Sequence, residues 1–524
     1  MHGTGPIPQT LHLGVLYSLV VMGPGAAKLR SLWAAGGATV VGLAVTSAFL
    51  VPLAVWGVVD NDEGYYGLAA KLTAAGEVPY RDFFYPQAPL LPYVYGAWME
   101  VFGVSLEATR ALSVIFALAL GALICHHAAR RFASLWVGAV AVVAFASTRL
   151  VSTWYSTTKT YALSTLLLFG AFMLLDRDAK ARTPRRWLAA GALLGLAIDV
   201  RLIFAATVPV FAFLLWRDRT AERWRAGYWV AGLALGLLPS LILLIVAPSQ
   251  FVFGNIGFHA VTNEGGLVGD LDQKLESVSD TLSQPQYVAL LLLAAIAIAV
   301  RLASRRPPPL AFWLAAALGV ASLLPTPTFA QYACTTVPFL IFTALELVPP
   351  IRAQLARPGG ARYRNWALAG VGVLALAFTV EGGRGIERAH SLNQSVNPVT
   401  PSAMTALADV IDTETAPGER VLSFRPIYIF LSDAEPVPGF ENDLAPVAAS
   451  IGDISDADAE RLKLITNDRL EALIRNHGVR LIVGPGDSRL FWGSAGRPWE
   501  AIVREAGYEP HGSYQGVTIW VAPS

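Results

Sequence analysis

Two cysteines in 524 residues exclude a disulfide scaffold. Cys125 and Cys334 each sit inside an apolar run, as small core residues do. Charge is scarce too: 15% of residues are Asp, Glu, Lys or Arg, against about 25% in soluble domains. Lysine is nearly missing, with 6 against 33 arginines, a bias that suits a GC-rich bacterial genome. No internal repeat, Gly-rich phosphate loop or nucleotide-sugar motif stands out. No cleavable signal is evident either, because the apolar stretch 13–27 is short and broken by Gly-Pro-Gly. Lys28 and Arg30 then lead into a full-length apolar run, as in a signal anchor. What is abundant is apolar side chain, 54% of the total, at a mean hydropathy of +0.50. One buried core cannot absorb that much. The composition excludes a soluble enzyme and a disordered chain, and it requires long segments solvated by lipid.

Apolar runs near 32–57, 108–129, 133–149, 157–176, 226–247, 286–303, 310–325, 331–349 and 365–381 read as membrane spans. The stretch 187–216 is too long for one span and carries Asp199 and Arg201 at its centre. Basic residues cluster at 28–30, 130–131, 177–186, 217–225, 301–306 and 352–364. The positive-inside rule puts all these clusters in the cytoplasm, so two short helices must meet around Asp199-Val-Arg201. The reading is a polytopic α-helical membrane protein of about eleven spans, N-terminus inside, with a small extracytoplasmic C-terminal α/β domain. The membrane part covers 1–381, with a first external loop at about 58–107, and the soluble domain covers 382–524.

The charge balance supports that division. Residues 384–524 hold 12 Lys/Arg against 19 Asp/Glu, whereas the remainder is basic. In the tail, strands are expected at 420–423, 427–431, 479–484 and 516–522, and helices at 459–476 and 498–507.

The first loop concentrates the chemistry. It reads Asp60-Asn-Asp62-Glu63-Gly-Tyr-Tyr66-Gly, and later Gly76-Glu-Val-Pro-Tyr80-Arg-Asp82-Phe-Phe-Tyr85-Pro-Gln-Ala-Pro89-Leu. Three acids in four residues beside a membrane span are costly unless they face water, a cation or a reaction. A solvated exit turn is the plain alternative.

The Asp-Glu pair after the first span and the Gly-x-x-Pro-Tyr-x-Asp-Phe-Phe-Tyr-Pro-x-x-Pro-Leu stretch resemble the signature of the GT-C membrane glycosyltransferases. The protein O-mannosyltransferase-like branch and the lipid A aminoarabinose transferases are the most similar. The resemblance implies a GT-C-like fold and a polyprenyl-phosphate sugar donor. It also implies a lipid, glycan or protein acceptor, and transfer outside the bacterial inner membrane with inversion at the sugar. It gives Asp62 the role of general base or acceptor-orienting carboxylate, with Asp60 as its rival. Glu63 would contact an acceptor, help bind a cation or cap the next helix. Tyr66 and Asp82, inside the motif, join the expected substrate-binding residues. One departure stands out: Gln87-Ala88-Pro89 occupies the place of a Glu-Lys-Pro element in the aminoarabinose transferases. That argues against lipid A aminoarabinose activity and against a bound zinc.

Further candidates lie near the expected outer ends of the spans. Arg201 suits a phosphate because its planar fork donates two parallel hydrogen bonds, though Asp199 could simply neutralise it. Arg149 and Lys159 flank a turn containing Tyr155 and either reach a phosphate or snorkel to the interface. His259 and Glu264 have residue types that suit a divalent cation, the only cofactor considered. Gln331-Tyr332 resembles a family position lining the lipid-carrier cavity, while an interfacial tyrosine explains Tyr332 equally well. A transporter or flippase is the rival function, since intramembrane Asp199 and Arg201 also suit a substrate path. Nothing points to nucleic acid.

Overall fold

A backbone in lipid must satisfy its own hydrogen bonds, so the apolar runs become helices. The computed structural model describes residues 24–218, 224–261, 271–395, 397–485, 499–514 and 516–523, with side chains described from residue 36. Every expected span coincides with a helical segment. Among the described residues, five helices are long and apolar enough to cross a bilayer alone: Gly36–Trp56, Leu106–Arg131, Pro285–Ala303, Ala330–Leu355 and Arg362–Gln394. The pair Trp224–Gly236 and Leu238–Val246, bent by 56°, makes a sixth. Leu135–Ser147, Tyr161–Leu175, Leu202–Arg217 and Leu310–Ala321 are apolar but shorter. The protein is a multi-pass membrane protein.

The long stretch 187–216 breaks where its charges sit. Helix Pro184–Val200 ends at Arg201, whose φ of −155° is extended, and a tight turn Leu202–Thr207 leads into Val208–Arg217. A seam of small residues from two helices holds this break in place. Gly191 and Gly195 face Gly232 and Gly236, and a Cβ at Gly191 would lie 2.3 Å from the Trp229 carbonyl oxygen. That backbone-to-backbone approach is what a glycine four residues from another permits between membrane helices. At the end of the seam, Asp199 accepts hydrogen bonds from the Ser240 backbone N–H and hydroxyl.

The first loop folds into two helices, Asn61–Ala74 and Leu90–Phe102. The helix that holds the last expected span, Ala361–Gln394, continues past 381, and the strands of the globular part follow it. That part carries a five-stranded sheet of order β2-β1-β3-β5-β4, with β1 Arg420–Ser423, β2 Glu435–Pro436, β3 Leu481–Pro485, β4 Glu509–Tyr514 and β5 Val517–Val521. β1 pairs parallel with β2 and β3, and β5 pairs antiparallel with β3 and β4.

One expected strand is absent: residues 427–431 lie in helix Pro426–Leu431. A short apolar run buried on all sides has no period to separate strand from helix, and Pro426 at the first turn favours a helix start. The helix expected over 459–476 is two, Asp456–Arg461 and Asn467–Arg475.

Candidate active site

The Asn61–Ala74 helix begins with a capping box. The Asp60 side chain accepts from the Asp62 N–H at 3.0 Å, and Glu63 Oε1 accepts from the Asp60 N–H at 3.1 Å. Glu63 is fully buried and its carboxylate is fully engaged. Arg110 donates to Oε1 at 2.6 Å and to Oε2 at 2.9 Å, and the Thr158 N–H donates to Oε2 at 2.9 Å. Arg110 in turn donates to the carbonyls of Ala54, Gly57 and Val58 at the exit of the first span. Of the roles open to Glu63, the structure shows the cap. Its oxygens are all engaged inside the protein.

Lys159 collects the other two acids. Its buried Nζ lies 2.7 Å from Asp60 Oδ1, 2.8 Å from Asp62 Oδ2 and 2.9 Å from Gln331 Oε1, and 4.5 Å from the Trp154 ring centroid. Burial raises the Asp60 pKa, and Lys159 opposes that rise. Asp62 is the more exposed of the pair, and its Oδ1 has no hydrogen bond among the described residues.

Arg201 stands apart from Asp199. Its Nη1 donates to Thr160 Oγ1 at 2.8 Å, and its Cζ lies 4.8 Å from the Tyr161 ring centroid and 5.0 Å from that of Tyr332. Tyr65 and Tyr66 lie within its electrostatic reach. Tyr85 does too, and its buried hydroxyl has no hydrogen-bond partner among the described residues. No ion pair joins Arg201 to a carboxylate among the described residues. A buried guanidinium without a counter-ion is costly, and an arriving anion relieves that cost.

The structure therefore brings Asp60, Asp62, Lys159, Arg201, Gln331, Tyr66 and Tyr332 to one place, and leaves others outside it. Tyr155 is a core residue whose hydroxyl donates to Thr165 Oγ1 and the Cys334 carbonyl, because its ring packs inward from the turn. Asp82 closes its own loop, accepting from the Val78 N–H at 2.8 Å and pairing with Arg81. The Arg149 backbone N–H donates to Gln286, and its side chain passes Gly385 of the last long helix. His259 is the exception among these: it donates to the Pro86 carbonyl at 3.2 Å and, like Tyr85, lies within the electrostatic reach of Arg201, while Glu264 lies outside the described residues. Among the described residues no three of His, Cys, Asp or Glu converge as a metal site. Sequence reasoning missed Arg110, Thr160, Tyr65, Tyr85 and Tyr161. Arg110 alone left a signal, as a cation at the start of an apolar run.

Residues 86–246 match the family of dolichyl-phosphate-mannose-protein mannosyltransferases. No curated protein matches the chain in sequence. The fold resembles the crystal structure of ArnT from Cupriavidus metallidurans bound to undecaprenyl phosphate, at a TM-score of 0.61 and 15% identity, over 93% of this chain and 99% of that one. The same protein in its apo state gives 0.57 and 13% identity, over 95% and 100%. The fold is GT-C. The acidic first loop and the later helices meet at the cluster around Lys159 and Arg201.

Proposed function

We propose that the chain is a membrane glycosyltransferase. It moves a sugar from a polyprenyl-phosphate donor to an acceptor on the extracytoplasmic face of the bacterial inner membrane, with Asp62 as general base. The observation that carries this reading is the separation of charges. Asp62 keeps one oxygen free, and Arg201, without a carboxylate, waits among tyrosines. One group suits a proton and the other suits a phosphate. The undecaprenyl phosphate held by the similar ArnT and the mannosyltransferase match over 86–246 support the same donor class.

In a single inverting displacement, the acceptor oxygen attacks the anomeric carbon as the bond from that carbon to the phosphate oxygen breaks. The electron pair leaves on the polyprenyl phosphate, and the acceptor proton passes to Asp62 Oδ1. Lys159 fixes Asp62 by its other oxygen, so the base is oriented before substrate arrives. Arg201 takes the growing phosphate charge with its unused N–H groups. The leaving group is already a stabilised anion, so a second carboxylate acid of the kind glycoside hydrolases use is not required.

Purified protein given a labelled polyprenyl-phosphate sugar and a panel of acceptors tests the reading. Release of carrier phosphate with formation of a glycosylated acceptor supports it, whereas vectorial movement of intact donor in proteoliposomes would make the protein a transporter. The orientation rests on the basic clusters. A cysteine in place of exposed Glu460 should react with an impermeant thiol reagent in intact cells, since the native Cys125 and Cys334 are buried. Labelling only after lysis reverses the topology.

A further inference from the structure

The stretch that carries the acids is gripped along its length by the C-terminal domain. Just before Asp60, the Val59 N–H donates to the Val399 carbonyl at 2.7 Å. Two residues after Asp62, a Cβ on Gly64 would lie 2.4 Å from the Ile427 backbone nitrogen. On the same face, a Cβ on Gly67 would lie 2.7 Å from Cδ1 of Phe430, a fully buried ring. At the end of the seam, Lys71 Nζ donates to the carbonyls of Ile429 and Ser432 at 2.8 and 2.5 Å, closing the C-terminus of helix Pro426–Leu431. Gly64 and Gly67 thus bracket Tyr65-Tyr66, whose rings lie 4.2 Å apart.

The geometry points to Gly64, Gly67 and Phe430 as positioning residues, through which the C-terminal domain sets where Asp62 stands. This rests on the glycosyltransferase reading for its kinetic consequence, but the placement itself can be measured without turnover. The helix has no glycine-sized slack at either contact. A larger residue must therefore move the helix away from Lys159 or lift the domain. The two contacts differ in kind. Gly64 abuts backbone, which cannot yield, whereas Gly67 abuts a ring that truncation removes.

The test is Gly67→Ala, alone and with Phe430→Ala, and Gly64→Ala, alone and with Ile427→Ala. Gly67→Ala should lower kcat by about 10- to 10²-fold, as small misplacements of a reacting group do. Its binding of polyprenyl phosphate alone should be unchanged. Phe430→Ala should restore most of that turnover in Gly67→Ala, while Ile427→Ala should not rescue Gly64→Ala. In parallel, spin labels on Asn61→Cys and Arg384→Cys report the helix position by their distance distribution. Gly67→Ala should shift or broaden it, and Phe430→Ala should restore it. An unchanged distribution in Gly67→Ala overturns the inference, as does a shifted one that Phe430→Ala leaves shifted. Absence of transfer by the unsubstituted protein would overturn the function reading alone, because the distance measurement still decides the positioning.

Discussion

Arg110 and Arg131 sit near opposite ends of one helix, Leu106–Arg131, roughly 30 Å apart at about 1.5 Å per residue. Each anchors a charge cluster, and the clusters are built differently. Around Arg131 the groups are matched. Glu346 receives Arg131 on one oxygen and Arg301 on the other, and Asp176 receives Arg131 and His127. Nearby, Arg182 pairs with Asp218 and donates to the Leu175 carbonyl. Around Arg110 only the Glu63 pair is matched. Beside it, Lys159 serves two acids, and Arg201 has no carboxylate partner among the described residues. The cluster at Arg131 is a clasp between helices, while the cluster near Arg110 leaves one buried guanidinium without a direct counter-charge. Direct pairing, more than burial, separates the two.

The comparison can be broken most forcefully at Asp62. Asp62→Asn keeps shape and much of the hydrogen bonding but cannot take a proton, so turnover should fall by about 10²–10⁴-fold with donor binding retained. Asp60→Asn should cost much less, because that side chain is committed to the cap. Glu346→Gln, in the matched cluster, should leave kcat unchanged in whatever protein folds. Near-normal turnover in Asp62→Asn, measured beside Asp60→Asn in nanodiscs, would move the base elsewhere.

Glu63 belongs with the matched groups despite its address. Glu63→Ala leaves the buried Arg110 charge without a carboxylate, a change worth about 3–5 kcal/mol of stability. Thermal unfolding in detergent should show that loss, and a stable Glu63→Ala protein that has lost only activity would return Glu63 to the chemistry. Arg201→Ala should raise the apparent donor KM about tenfold or more, since a charge-assisted hydrogen bond contributes about 1.5–3 kcal/mol. Arg201→Lys should recover part of it by restoring charge without the fork, and Arg301→Ala should not move donor KM at all.

The smallest effect concerns Asp443 of the C-terminal domain, whose carboxyl is pushed up to about 7 by burial and then by the charge of Asp62. An acid with a raised folded pKa binds its proton more tightly folded than unfolded. Its ionisation therefore costs stability, progressively from about pH 4 upward and fully above about pH 7. Asp443→Asn should be more stable than the parent at pH 8, with the gain fading to nothing near pH 4. A gain that does not change with pH would assign the effect to packing.

Asp62, Lys159, Arg201 and Gln331 were legible because a polar or charged residue near a membrane span stands out against its neighbours. The break at Arg201 was legible for a related reason: only two short helices reconcile the flanking basic clusters with one side of a bilayer. Glu63 was not separable from Asp62, since its partner Arg110 is far along the chain and local spacing does not encode it. Tyr155 looked like part of an exposed turn, but the turn from Ser156 to Thr160 is itself buried, which packing and not local sequence decides. The pattern Gly-Tyr-Tyr-Gly carried no visible meaning until helix Pro426–Leu431 was seen against it, and that helix itself read as a strand.

The grip of residues 399–432 on the stretch 59–71 also orders events during biosynthesis. Asp62 leaves the ribosome early. Lys159 follows, then Arg201 and Gln331, and the segment that seats the acid-bearing helix comes after all of them. A partly translated protein can insert its helices in the membrane, yet it lacks the contacts that place its carboxylate. The site is complete only once residues 399–432 have been made, so a copy that stops before them has its acids without their seat. Ribosome-arrested chains ending at 395 and at 523 should differ in this way, both inserted and only the longer one competent.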